Sequence, residues 1–130
     1  MKLRLFILLA MALVVTSCGR EASTEEVVGA TARLYYESLL EGRYDDFVAG
    51  LDGWKEMPPA YREQLRDNAK MFVHKQEKAR GGIKSIEMSK SEVDTENHQA
   101  QVFLRFCYAD STDEQVVVPM VERDGVWLMR

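Results

Sequence analysis

Hydrophobic and polar positions change their spacing twice along the chain. Leu5 to Val15 is an unbroken apolar run, preceded by Lys2 and Arg4 and followed by Thr16, Ser17 and Cys18. From Thr24 onward apolar residues recur every three or four positions, the signature of helix. From Ile86 onward they alternate with polar neighbours, the signature of strand.

Ser23-Thr24-Glu25-Glu26 has the form of a capping box with Ser23 as N-cap. The first helix then carries Val27, Val28, Thr31, Leu34, Tyr35, Ser38 and Leu39 on one face, widened by Tyr36 and Leu40, and stops at Gly42. A short second helix is predicted from Tyr44 to Ala49, taking Phe47 and Val48 inward. Pro58-Pro59 opens a long third helix, because a first-turn N–H has no helical partner to lose. Tyr61, Leu65, Ala69, Phe72, Gln76 and Ala79 step along its inner face, and Gly81-Gly82 ends it.

Four strands follow. Ile86 and Met88 belong to the first, Ala100 to Tyr108 to the second, Val116 to Val121 to the third, and Val126 to Met129 to the last. Asp124-Gly125 is a strong two-residue hairpin signal. The predicted class is α+β: N-terminal helices packed on a curved, four-stranded antiparallel meander, one domain over residues 24–130. Pro119 lies in a strand flanked by two others, which predicts a bulge or a locally unpaired edge.

The parity of the turn between the second and third strands decides which side chains share a face. An even turn groups Val102, Leu104 and Phe106 with Val117, Val121 and Leu128 against the first helix. The second face then carries Phe103, Cys107, Val116, Val118, Met120, Trp127 and Met129; an odd turn exchanges the assignment. On the even reading Phe103, Val116, Val118, Met120, Trp127 and Met129 form a candidate interaction face, too apolar to remain in water. The third helix, a second copy in a homodimer, or an envelope protein partner would cover it.

The front segment has its own reading. A basic n-region and an apolar stretch too short to span a bilayer, which takes about 18 residues or more, make residues 1–17 a secretory signal. Small-small-Cys at its end resembles the bacterial lipoproteins, in which Leu and two small residues precede the cysteine; here Val15 stands in the Leu position and Thr16-Ser17 keep the small pair. The resemblance implies diacylglycerol on Cys18, cleavage before it, and a further acyl chain of the palmitate kind on the new amino group. One chain of myristoyl size anchors marginally at about 0.8 kcal/mol per methylene, so two or three longer ones hold firmly. Residues 18–23 become the lipidated cysteine and its tether. The implied location is a cell-envelope membrane, on its periplasmic side or at the outer membrane or cell surface.

Charge supports a lipid rather than an electrostatic anchor. The 130 residues carry 17 basic and 21 acidic side chains, and loss of Lys2 and Arg4 leaves fifteen basic ones. An acidic domain excludes nucleic acid, whose phosphates demand a basic face, and does not adhere to anionic headgroups by charge. With Cys18 acylated, Cys107 is the only thiol and no intramolecular disulfide forms.

Candidate chemistry is sparse. His74 and His98 lack ligand or nucleophile spacing with Cys107, and Asp45-Asp46 point about 100° apart on a helix, so no metal, cofactor or catalytic constellation is expected. Tyr35, Tyr61 and Tyr108 are candidate residues lining the interior, with Asp52 near its mouth.

"ARLYYESLLEGRYDDF", "ARGGIKSIEM" and "VVVPMVERDGVWLM", in this order behind the export segment, resemble a group of bacterial lipoproteins. Those carry an uncharacterised domain of the nuclear transport factor 2-like (cystatin-like) superfamily. The likeness implies a curved sheet wrapped around the first helix as an open-ended cone. It implies no single activity, because that superfamily mixes enzymes, binding proteins and scaffolds. The expected function is a non-catalytic binding or interaction module at the envelope surface. The alternatives are a small-molecule isomerase or hydratase with a working residue in the cone, and a structural subunit of an envelope complex.

Overall fold

The computed structural model describes residues 21–130; the expected export segment and Cys18 lie outside the described residues. Helices α1 (Thr24–Leu40) and α2 (Tyr44–Ala49), a 3-10 turn (Trp54–Glu56) and α3 (Pro59–Arg80) come first. Strands β1 (Ile83–Asp94), β2 (Gln99–Tyr108), β3 (Asp113–Arg123) and β4 (Val126–Met129) follow. The strands form one antiparallel sheet in sequence order. This is the α+β meander that the periodicity predicts.

Ser23 Oγ accepts the Glu26 N–H at 3.2 Å and so satisfies one orphan donor at the start of α1. Glu25 and Glu26 place negative charge at the same positive helix end. Pro59 takes the first turn of α3 and Gly81 closes it.

Helix α1 packs across all four strands, so the sheet curls around it. Val28 and Ala32 meet Ile86 from β1, Val102, Leu104 and Phe106 from β2, Val118 and Met120 from β3, and Trp127 and Met129 from β4. Tyr36 joins this cluster edge-on to Phe47 at 5.2 Å and stands 5.4 Å from the Phe106 ring. Each large side chain buried here contributes about 1.5–3 kcal/mol relative to exposure.

The β2–β3 connection is the odd case. Cys107 pairs with Asp113 and Val102 with Val118, so residues 108–112, an odd number, separate the first pair. Even-numbered residues of both strands therefore share a side. The Asp124-Gly125 turn pairs Met120 with Met129 and Glu122 with Trp127, which carries Met129 and Trp127 to that same side. The candidate interaction face is corrected accordingly: Val118, Met120, Trp127 and Met129 are core residues, and Val116 is half-buried against them. Of the six, Phe103 alone stays outside. The outer face keeps Val117 exposed, but Arg105 pairs with both Glu87 and Asp113 across it, and Lys90 Nζ stands 4.7 Å from the Phe103 ring centroid. It is an amphipathic surface, not a continuous apolar one.

Two helical faces also turn from their predicted positions. On α1 the buried ridge runs through Val28, Gly29, Ala32 and Leu39, while Val27 and Leu34 are 44% and 61% exposed. Gly29 and Ala32 are too small to register in an apolar pattern, yet their size lets helix and sheet approach. On α3 Ala69 is buried and Leu65, Phe72 and Gln76 are half-buried, but Tyr61 points to water at 52% exposure. Helix α3 packs mainly on α2, with lighter contact to α1 and β1.

Pro119 sits in unbroken register opposite Gln101, without a bulge. Its carbonyl accepts the Arg130 N–H at 2.9 Å, so its nitrogen faces β4 as well. Arg130 lies opposite it just past the end of β4, so the one ladder bond the proline forgoes, an N–H to the Arg130 carbonyl, falls at the last rung.

Candidate functional site

The chain leaving α2 runs beside the outer edge of β4. Met129 N–H donates to the Gly50 carbonyl and Asp52 N–H donates to the Met129 carbonyl, both at 2.7 Å, with Leu51 bridging Met129 in parallel. The Tyr35 hydroxyl donates to the Trp127 carbonyl at 2.7 Å. Gly50 is required at this crossing, since a Cβ there would stand 2.6 Å from two carbons of the Tyr35 ring. The chain then turns away through Gly53 into the 3-10 turn and leaves a groove of about 880 Å³. Tyr35, Leu51, Trp54 and Leu128 give it apolar walls, and Asp52 and Arg123 lie at its polar side.

Asp52 and Arg123 form a two-pronged pair, Nε to Oδ1 at 3.2 Å and a terminal nitrogen to Oδ2 at 3.0 Å. The hydrogen bond and charge of Arg123 hold the Asp52 carboxyl below its ordinary range, and Asp52 raises Arg123 in return. Burial raises the Tyr35 phenol. At neutral pH the carboxylate is ionised and occupied by a guanidinium, and the phenol is neutral with its proton committed to a carbonyl. Neither is a free general base.

Tyr108 belongs to a different place. Its ring lies under Arg80 at 4.5 Å and its hydroxyl donates to Glu114 Oε2 at 2.8 Å. Burial first, and then the Glu114 carboxylate, push this phenol up to about 12. Tyr35 lines the groove, Tyr61 is exposed on α3, and Tyr108 is buried beside Arg80. The three do not converge on one cavity. The interior where they were expected to meet holds Phe106, Leu104, Met120, Val28 and Val102, each fully buried.

Asp52 stands at the groove beside β4. Cys107 is free and half-buried; His74 and His98 lie 3.3 Å from Glu77 and Glu122 respectively. Among the described residues no group of three or more His, Cys, Asp or Glu side chains could hold a metal ion. Sequence reasoning passed over Trp54 and Arg123. An aromatic between Gly53 and Lys55 was a signal for the first, but the Asp52–Arg123 pair spans 71 positions and leaves no local trace.

No protein-family model and no curated protein sequence matches the chain. Among solved structures, a Campylobacter jejuni protein provisionally designated an NTF2-like transpeptidase superposes with a TM-score of 0.61 at 13% sequence identity, over 75% of this chain and 92% of that one. The fold is therefore NTF2-like, and at this identity the likeness carries nothing beyond the fold.

Proposed function

We propose that the chain is a lipid-anchored cell-envelope lipoprotein whose NTF2-like domain is a non-catalytic binding or interaction module. One observation carries the reading: the apolar export run ends in Ser17-Cys18, and α1 is capped by Ser23 only five residues later. A fully extended tether of that length reaches on the order of 15–20 Å, so an acylated Cys18 holds the domain close to the bilayer. Among the described residues no helix is long and apolar enough to cross a membrane.

Binding is favoured over catalysis by the filled interior and by the state of the groove. An isomerase or hydratase needs an ionisable group in a water-poor pocket with its pKa moved toward neutrality. Asp52 is moved the other way, by Arg123. The transpeptidase designation of the structural neighbour does not transfer: acyl transfer needs a nucleophile with a base in reach, and His74 and His98 are turned to Glu77 and Glu122.

The test is fractionation. Wild-type protein is expected in the membrane fraction and Cys18→Ala in the soluble fraction or still carrying its export segment. Equal membrane association of wild type and of Cys18→Ala protein that has lost residues 1–17 would overturn the anchoring.

A further inference from the structure

The other half of the α1 apolar pattern faces away from the core. Val27 and Leu34 are 44% and 61% exposed, Thr24 and Ala30 are exposed, and Thr31 is half-buried. At about 100° per residue these five side chains fall within about 60° of the Val27 direction. The charged residues of α1, Glu25, Glu26, Arg33 and Glu37, all lie about 80° or more from it. The helix thus presents an uncharged stripe along the length from Thr24 to Leu34, bordered on one side by Glu26, Arg33 and Glu37 and on the other by the buried face.

We propose that this stripe, centred on Val27 and Leu34, rests in the interfacial layer of the bilayer that the Cys18 lipid enters, so that α1 lies along the membrane surface. The inference depends on the lipid anchoring proposed above. Three observations select the bilayer as the occupant. The stripe starts at the tether end of α1, and Val27 follows Cys18 by nine residues. The tether's reach of about 15–20 Å is shorter than the roughly 25 Å length of α1 at 1.5 Å per residue, so the first turns of the helix cannot leave the neighbourhood of the headgroups. The mature chain is acidic, so anionic lipid repels it and any membrane contact has to be apolar. An uncharged stripe with the neighbouring charges held to one side meets that condition, as interfacial helices do when they bury one face about 5–10 Å deep.

The test uses the full-length protein processed in cells, in a Cys107→Ser background, reconstituted into vesicles of phosphatidylethanolamine and phosphatidylglycerol. Single cysteines from Leu34→Cys on the stripe and Met71→Cys on α3, the latter site 67% exposed, carry a nitroxide. The Leu34 label is expected to collide several-fold less often with a water-soluble nickel complex than the Met71 label, and more often with dissolved oxygen. Release from the vesicles, in Cys18→Ala protein from which residues 1–17 have been removed, should abolish the difference. Equal access of nickel to both labels in vesicle-bound protein would overturn the proposal. So would a Leu34 label that stays shielded, in proportion to protein concentration, in the soluble Cys18→Ala form, since a second copy would then cover the stripe. A mass for residue 18 without acyl chains would remove the anchoring as well, whereas acylated protein with an open Leu34 removes this inference alone.

Discussion

The Tyr35 hydroxyl donates a 2.7 Å hydrogen bond to the Trp127 carbonyl, joining the middle of α1 to the outer edge of β4 across 92 positions of sequence. Together with the Gly50 and Asp52 main-chain bonds to Met129, it occupies the edge at which another strand would otherwise pair. Tyr35→Phe keeps the ring and orphans a carbonyl. The expected loss is about 0.5–1.5 kcal/mol, seen as a lower urea midpoint with an unchanged m-value. An unchanged midpoint would mean that the bond is not made.

Gly50→Ala tests the same crossing from the other side. The added methyl carbon meets the Tyr35 ring at 2.6 Å, in a backbone conformation that alanine otherwise accepts (φ −79°). Overpacking should cost about 1–3 kcal/mol. The double variant with Tyr35→Ala should cost less than the two single losses together, because the clash is gone. Strict additivity in a thermal-unfolding cycle would place the ring elsewhere.

The Asp52–Arg123 pair gives a pH dependence with a definite sign. Arg123 lowers the folded-state pKa of Asp52 below 3.8, so its contribution is present above that value and is lost as acid protonates the carboxylate in the native state. Solvent around the pair screens it, so the contribution is small. Asp52→Asn should therefore be less stable than wild type at pH 7, with the two converging below the ordinary aspartate range. A gap that persists in acid would assign the effect to something other than charge.

Tyr108 acts at the opposite end of the pH scale. Its folded-state pKa lies near 12, above the ordinary value of 10.0. The stabilisation is complete below pH 10 and disappears as pH rises through the folded value. Tyr35, Tyr36 and Tyr108 should titrate above the ordinary range by ultraviolet absorbance, Tyr108 last, and Tyr108→Phe should remove that last step while making the alkaline loss of stability less steep. A complete tyrosine titration near pH 10 in folded protein would contradict the buried Tyr108–Glu114 bond.

Element order and type were legible because the apolar spacing changes cleanly between Ala79 and Ile86, and because the caps at Ser23, Pro59 and Asp124-Gly125 are local chemistry. The orientation of the sheet faces was not. It depends on the parity of one turn, and a one-residue change there moved Trp127, Met129, Met120 and Val118 from the surface to the core. The α1 face turned for a related reason: Gly29 and Ala32 are buried by virtue of their size, and hydrophobicity does not record size. At the groove Asp52 was readable as a loop carboxylate, but Arg123 and the Tyr35–Trp127 bond are long-range pairings that neither period nor motif encodes.

The most direct measurement is the mass of the N-terminal residue of the protein recovered from cell membranes. The account predicts a chain beginning at Cys18 that carries a diacylglyceryl group, with or without a further acyl chain on its amino group. A chain that begins elsewhere, or an unmodified thiol at residue 18, would contradict it.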